Sequence, residues 1–235
     1  MVNNPTSQEK ADLAHRKSIV LLRNDQNLLP LYNKKIKDMK LYVESFPAGE
    51  HSANTIAFRK TIQKYDPDIT LTDHLEEATH ALVWIKPKQD LLSKQPLISI
   101  GPDTQFHNKN RIIKIQKTVP TIMAINFSNP WLIQEIEPNA AAVIGTFGVK
   151  TEALMDVIRG RFNPTGKLPI TIPANQEAVA KNKMDVPGFD EAPSYYYQSK
   201  SGDKYGYGFG LSYNTEHKET KSSDLRKSLR NIFKN

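Results

Sequence analysis

The segment PTIMAINFSNPWLIQEIEPNAAAVIGTF, residues 120–147, decides the fold that the sequence predicts. Its two apolar runs, 120–128 and 140–147, have the length and composition of buried strands. Residues 130–138 between them predict a short helix that begins at Pro130, because proline is tolerated in the first helical turn. Nearly continuous apolar strands separated by helices indicate a parallel sheet that is covered on both faces.

The same alternation extends outward from this segment in both directions. Further strands are predicted at 39–46, 68–73, 80–87 and 96–100, and helices at 8–23, 52–65, 108–118 and 150–162. The predicted fold class is therefore α/β, with an open, mainly parallel sheet sandwiched between helices.

The C-terminal third has a different character. NPTGKLPITIP, residues 163–173, predicts an edge strand that finishes the sheet, because Leu168, Ile170 and Ile172 alternate and proline is tolerated at an edge. KYGYGFGLSYN, residues 204–214, alternates Gly with Tyr or Phe, which predicts an irregular, extended backbone packed closely against a neighbour. Residues 222–235 predict a basic amphipathic helix.

Composition excludes several function classes. The 235 residues contain 38% hydrophobic residues, and no apolar run approaches the length of about 18 residues that a membrane span needs. Cysteine is absent, and the 6 histidines never fall in a metal-binding spacing, so neither a metal nor a cofactor is expected. The net charge of +7 is spread along the chain, which argues against nucleic acid as a partner. The N-terminus has no signal-peptide pattern, so a cytoplasmic location is expected if the start is native.

Three motifs in order resemble one known family: AHRKSIVLLRNDQNLLPL, the segment from NPWLIQEIEP to GKLPITIP, and YGYGFGLSYN. They are similar to the C-terminal α/β sandwich domain of glycoside hydrolase family 3, which includes β-glucosidases and β-xylosidases, and look most like its bacterial branch. The resemblance divides the chain into an extension (1–10), the sandwich domain (11–214) and a basic tail (215–235).

The resemblance implies that the catalytic machinery is divided between domains. In that family a (β/α)8-type barrel precedes the sandwich and carries the aspartate nucleophile, whereas the acid is often a glutamate on a sandwich loop. No barrel is found in the 235 residues, so a separate barrel-type chain is an expected partner and a β-linked carbohydrate the expected ligand. The chain is expected to hydrolyse O-glycosyl bonds only together with such a barrel.

The resemblance also directs attention to individual residues. The region of the acid, about 86–111, contains no glutamate; its carboxylates are Asp90 and Asp103. Asp103 lies in a turn-rich loop with His107 and is the candidate general acid, although a turn-capping role remains open. Asn129 and Phe147 follow predicted strands, where ligand-facing loops of an open parallel sheet lie, and with His107 they are candidate substrate contacts.

Simpler structural interpretations stand beside these. Asn129 would cap the helix 130–138, and Trp131 would belong to the core. Asp90 would start a helix as its N-cap. The pair Glu152 and Asp156 would form a solvated helix face. The aromatic cluster of Tyr195, Tyr196 and Tyr197 would have exposed rings that contact carbohydrate or the barrel. A non-catalytic carbohydrate-binding or protein-interaction module is the alternative function.

Overall fold

A single mixed sheet organises the part of the chain that the computed structural model describes, residues 4–47, 51–87, 108–181 and 194–213. Among these residues the strands lie in the order β1-β6-β5-β4-β2-β3. They are β1 Val20–Asn24, β2 Lys40–Pro47, β3 Thr70–Thr72, β4 His80–Lys86, β5 Thr121–Asn126 and β6 Ala142–Thr146. β2 to β6 are mutually parallel and β1 pairs antiparallel with β6, so the predicted open, mainly parallel sheet is confirmed.

Helices cover both faces of the sheet. They are α1 Pro5–Lys17, α2 Asn33–Ile36, α3 His51–Tyr65, α4 Lys109–Thr118, α5 Thr151–Ile158 and α6 Gln176–Lys181. α3 and α5 pack on one face, where Phe58, Ile62 and Leu154 join one apolar core. α4 packs on the other, where Ile112 and Ile115 join a second core. No helix in the described ranges has both the length and the apolar character needed to cross a membrane.

The prediction of one helix over 8–23 is wrong at its C-terminal end. α1 stops at Lys17, and Val20–Asn24 is the antiparallel strand β1. Ile19 and Leu21 pack into the core on the α3 side, whereas Val20 and Leu22 pack into the core on the α4 side. Four consecutive apolar side chains can be buried on two opposite sides only by a strand, whose side chains alternate.

The predicted helix 130–138 is also wrong. The segment forms turns and ends in the short 3-10 helix Glu137–Asn139. Its backbone makes one α-type turn, in which the Glu137 N–H donates to the carbonyl of Ile133 at 2.8 Å. Prolines at 130 and 138 remove two backbone donors from this segment, and the burial of Trp131, Ile133 and Glu137 then determines its path.

Residues 163–173 do not form the predicted edge strand of the sheet. Leu168 and Ile172 do face the core, as their alternation predicts. However, their backbone N–H groups donate to the carbonyls of Phe209 at 2.8 Å and Tyr205 at 2.9 Å, not to a sheet strand. The three prolines of the segment cannot donate, so the segment makes scattered hydrogen bonds with residues 205–209 and no continuous ladder.

The glycine-rich segment approaches its neighbours closely, as predicted, and also covers the free edge of β1. The Leu211 N–H donates to the carbonyl of Leu21 at 2.7 Å. A Cβ on Gly210 would lie 2.4 Å from the carbonyl oxygen of Gly166, and a Cβ on Gly206 would lie 2.7 Å from the Tyr196 ring. Gly208 differs, since it turns the chain at a φ of +79° in open space.

A buried ion pair joins β1 to the segment before β6. Arg23 is 1% exposed and Glu137 is 0% exposed. The Arg23 Nε donates to Glu137 Oε1 at 2.8 Å, and its Nη2 donates to the carbonyls of Glu137 at 2.6 Å and Ala140 at 2.7 Å. The hydroxyls of Tyr197 and Tyr205 each donate to the Glu137 carboxylate at 2.8 Å. Burial, together with the Glu137 charge, raises the pKa of both tyrosines, so they remain donors.

This cluster corrects the prediction that the tyrosines at 195–197 are exposed. Tyr195 and Tyr197 are buried, and the Tyr197 ring lies 5.5 Å from that of Tyr205. Tyr196 is half-buried, with Lys204 Nζ 5.8 Å from its ring centre. Tyr197 is used inside the domain, because the buried Glu137 carboxylate needs phenolic donors.

The prediction that Glu152 and Asp156 share a solvated face is wrong for Asp156, which is buried. Its Oδ2 accepts from Arg16 Nη1 at 2.9 Å, and its Oδ1 accepts from the Tyr65 hydroxyl at 2.7 Å. Burial and this hydrogen bond raise the pKa of Tyr65 to about 12. The three side chains connect α1, α3 and α5, a tertiary contact that helical periodicity does not reveal.

We expect Glu137→Gln to lower the free energy of unfolding by about 3 kcal/mol, because it removes the buried carboxylate partner of Arg23 and leaves only the part-exposed Asp25 to balance that charge. Urea denaturation of the purified chain measures this. The matched control is Glu177→Gln, which removes the same charge from an exposed i,i+4 pair with Lys181 in α6, and its expected cost is below about 0.5 kcal/mol. Equal costs for the two variants would contradict the role given to the buried pair.

We expect Gly210→Ala to destabilise the chain more than Gly208→Ala. The first forces a Cβ against a backbone oxygen and should cost about 2–3 kcal/mol, whereas the second places alanine at positive φ without a clash and should cost about 1 kcal/mol. Thermal unfolding of both variants tests the order. A larger loss for Gly208→Ala would show that the segment is not packed closely at Gly210.

Candidate functional site

The parallel strands β2, β4, β5 and β6 end at one edge of the sheet, at Pro47, Lys86, Asn126 and Thr146. From β2 the chain continues to β3 towards one end of the sheet, and from β4 it continues to β5 towards the other end. The topological switch, where the strand order reverses, therefore lies between β2 and β4. Ligands of open α/β sheets bind outside the carboxyl ends of the strands, near such a switch. This edge is therefore the candidate site, and the loops after β5 and β6 form its best-described part.

A side-chain hydrogen bond fixes these two loops to each other. Asn126, the last residue of β5, accepts from the Gly148 N–H at 2.7 Å through its Oδ1. Gly148 has a φ of +66°, a conformation that glycine adopts without strain. Phe147 is half-buried just before it, and its ring centre lies 6.2 Å from that of Phe127. Phe147, which the sequence predicts as a substrate contact, thus lies at the carboxyl edge of the sheet.

Asn129 lies in the loop after β5, at the same edge as Phe147. It does not cap a helix, because none follows; its backbone carbonyl accepts from the Trp131 N–H at 2.9 Å in a turn. Its side-chain Nδ2 is shielded from solvent and has no hydrogen-bond partner among the described residues. An amide donor without a partner is costly to bury, and a ligand hydroxyl would satisfy it.

Trp131 belongs to the core, as its structural interpretation predicts. It is 4% exposed, and its Nε1 donates to the backbone carbonyl of Asn126 at 3.0 Å. Trp131 therefore supports the end of β5 from within the domain, and its ring is not available for stacking on a sugar.

Lys86 is a residue of this edge that the sequence interpretation missed. It ends β4, and its Nζ lies 3.6 Å from the centre of the Trp84 ring. Burial lowers the pKa of Lys86, while the aromatic face partly compensates its charge. The signal in the sequence is a lysine that closes an otherwise apolar strand.

Asp103 and His107, the predicted acid and its neighbour, lie outside the described residues, as does Asp90. They follow Lys86 in the chain, within the connection from β4 to α4. The described loops at this edge, 126–131 and 146–150, contain amides, hydroxyls, aromatic rings and Lys150, which pairs with Asp12 of α1, but no carboxylate. Such groups can bind a polyhydroxylated ligand and cannot transfer a proton to it at neutral pH.

Within the described ranges no three His, Cys, Asp or Glu side chains come together in a way that could hold a metal ion. The amide and aromatic groups at the carboxyl edge are likewise not a typical ligand set for a divalent cation.

Comparison with known proteins agrees with the fold and with the sequence motifs. Residues 102–213 match the model of the glycosyl hydrolase family 3 C-terminal domain. The chain is 33% identical to a probable beta-glucosidase C of Aspergillus flavus over 204 residues, which is 85% of this chain and 28% of that protein. It is 24% identical to a periplasmic beta-glucosidase/beta-xylosidase of Dickeya chrysanthemi, covering 86% of this chain and 28% of the relative. The chain thus spans only 28% of the length of these relatives. Because the relatives are fungal as well as bacterial, the resemblance to the bacterial branch of the family stays a prediction.

Solved structures show the same fold. The beta-D-glucoside glucohydrolase of Trichoderma reesei has a TM-score of 0.62 at 18% identity, covering 89% of this chain and 37% of that one. The beta-glucosidase of Listeria innocua in complex with isofagomine has a TM-score of 0.59 at 13% identity, covering 90% of this chain and 34% of that one. Since the family model, the relatives and the fold agree, the chain belongs to the glycosyl hydrolase family 3 C-terminal domains.

Proposed function

We propose that this domain forms one wall of a sugar site in a β-glucosidase-like enzyme that hydrolyses O-glycosyl bonds. The observation that carries the proposal is the Asn126–Gly148 hydrogen bond, because it holds two loops at the carboxyl edge of the sheet. In this proposal Asn129 donates through Nδ2 to a sugar hydroxyl, and Phe147 offers an apolar surface to the sugar ring. His107 is the third proposed substrate contact.

Hydrolysis itself needs groups that the described edge does not supply. A retaining glycosidase uses two carboxyl groups about 5–5.5 Å apart, one as nucleophile and one as acid. In the proposal Asp103 is the acid, and the nucleophile belongs to a barrel domain, in a longer form of the chain or in a separate partner. A lone acid without the nucleophile and its sugar subsite lacks most of the stabilisation of the transition state.

The purified chain of 235 residues should show no turnover of an aryl β-glucoside, because the nucleophile is supplied by the barrel. With the barrel present, Asp103→Asn should lower kcat by roughly 10²- to 10⁴-fold, the usual contribution of a general acid. Asp90→Asn is the matched control in the same connection and should leave kcat unchanged. Clear turnover by the chain alone that Asp103→Asn abolishes would overturn the proposed division of labour.

One observation favours the alternative function, a carbohydrate-binding module without catalysis. Tyr207 is 74% exposed, on a backbone that is fixed by its N–H donating to the Thr171 hydroxyl at 3.1 Å. An exposed aromatic ring is suited to stacking on a sugar face. A pull-down from the source cells that recovers glycans without a barrel-type glycosidase would favour this alternative.

The two functions predict different effects of Tyr207→Ala. If the module acts by stacking, the substitution should weaken oligosaccharide binding to the chain by about tenfold, as measured by isothermal titration calorimetry. If the chain is a wall of a catalytic site at the carboxyl edge, Tyr207→Ala should leave binding unchanged and Asn129→Ala should weaken it.

A further inference from the structure

An open depression of about 600 Å³ lies beside the carboxyl ends of β2 and β3. Its floor and walls come from β2, α3, the residue that follows β3, and α4. Four basic side chains line it: His51, Arg59 and Lys60 from α3, and Arg111 from α4. Two carboxylates also line it, Glu44 of β2 and Asp73 beyond β3. The volume suits a small ligand.

The carboxylate at the floor is held by the residues around it. Glu44 is 3% exposed. It accepts from the Tyr42 hydroxyl at 2.5 Å and from Arg111 Nη2 at 3.2 Å, and His51 Nε2 lies 2.9 Å from its Oε1. Burial, with the adjacent Glu44, raises the pKa of Tyr42 to about 12, so the hydroxyl remains a donor. Arg111 therefore neutralises Glu44, and the pair is built into the fold.

Arg111, a lining residue of the depression, retains donor capacity. Its Nε and Nη2 are used by Glu44 and Tyr42, whereas Nη1 has no acceptor among the described residues. The side chain is 38% exposed. A guanidinium that is fixed by one carboxylate and still offers a free nitrogen is pre-oriented for a second oxygen acceptor.

The second carboxylate is neutralised in the same way. Asp73 Oδ1 lies 2.9 Å from Arg59 Nη2, and Arg59 Nη1 donates to the carbonyl of Thr72 at 2.8 Å. Asp73 is 81% exposed and lies at the rim, so water screens its charge. Lys60 is exposed and makes no ion pair with another residue in the described ranges. Among the described residues of the lining, three permanent cations thus face two carboxylates, which leaves one positive charge uncompensated.

We propose that this depression, whose lining includes Arg111 and Lys60, binds one oxyanion group of a small ligand. The group is the carboxylate of an acidic sugar or a free inorganic anion such as sulfate, since both present oxygen acceptors with negative charge. The preference for an anion over a neutral sugar follows from the uncompensated charge. The site is argued from the lining of the depression alone, so it stands whether or not the domain acts in glycoside hydrolysis.

Titrations of the full chain at constant ionic strength test the proposal. Sodium sulfate and glucuronate are the probes, and glucose is the neutral match for glucuronate. Calorimetry measures affinity, and NMR shifts of the Thr55, Arg59 and Arg111 signals locate the site. Both anions should bind and shift these signals, while glucose should not. If glucuronate binds and sulfate does not, the ligand is an acidic sugar. If both bind with equal affinity, the depression is a general oxyanion site.

Two variants on one helix face give the matched comparison. Lys60→Gln should weaken anion binding by about threefold to fivefold, the effect of one exposed ionic contact. Lys64→Gln removes the same charge one turn further along α3, outside the lining, and should leave affinity unchanged. Both positions are exposed, so neither variant should alter the thermal unfolding midpoint. Equal weakening by both, shifts elsewhere, or glucose binding as tightly as glucuronate would overturn the proposal.

Discussion

The buried ion pair between Arg23 and Glu137 constrains the path of three separate chain segments. Moving two charges out of water costs several kcal/mol for each ion, so the pair persists only when further donors surround it. Tyr197 and Tyr205 supply those donors from the C-terminal segment, and the carbonyl of Ala140 accepts from Arg23. The aromatic segment must therefore fold back over the sheet, and residues 131–140 must cross beneath it.

That return of the chain also completes the sheet. β1 lies at an edge and would otherwise present unpaired backbone groups, a template for association with other chains. The backbone of Leu211 pairs with Leu21, and Gly166 and Gly210 allow the two covering segments to approach each other closely. The motifs at either end of the family signature thus meet in space, which explains why glycine stands at these two positions.

The parallel core of the fold could be predicted from the sequence, whereas the outer segments could not. Apolar runs such as 120–128 are buried on both faces, and local composition is sufficient to reveal this. The segment 130–138 has a helical composition but its path depends on Glu137 reaching Arg23, more than one hundred residues away in the chain. The position of Asn129 and Phe147 at this edge could be predicted, because both residues follow apolar strands. The Asn126–Gly148 hydrogen bond could not, because it depends on the register between β5 and β6.

The distribution of carboxylates in the described domain separates binding from catalysis. Each buried carboxylate in the described ranges is matched to arginine: Glu44 to Arg111, Asp66 to Arg159 and Arg161, Glu137 to Arg23, and Asp156 to Arg16. A general acid must be reachable by the leaving oxygen, whereas these four carboxylates are buried and their oxygens are engaged by arginine. These acids stabilise the arrangement of the domain. In the proposed function the proton comes instead from Asp103, in the connection between β4 and α4, while hydrogen bonds of Asn126 and Trp131 fix the end of β5.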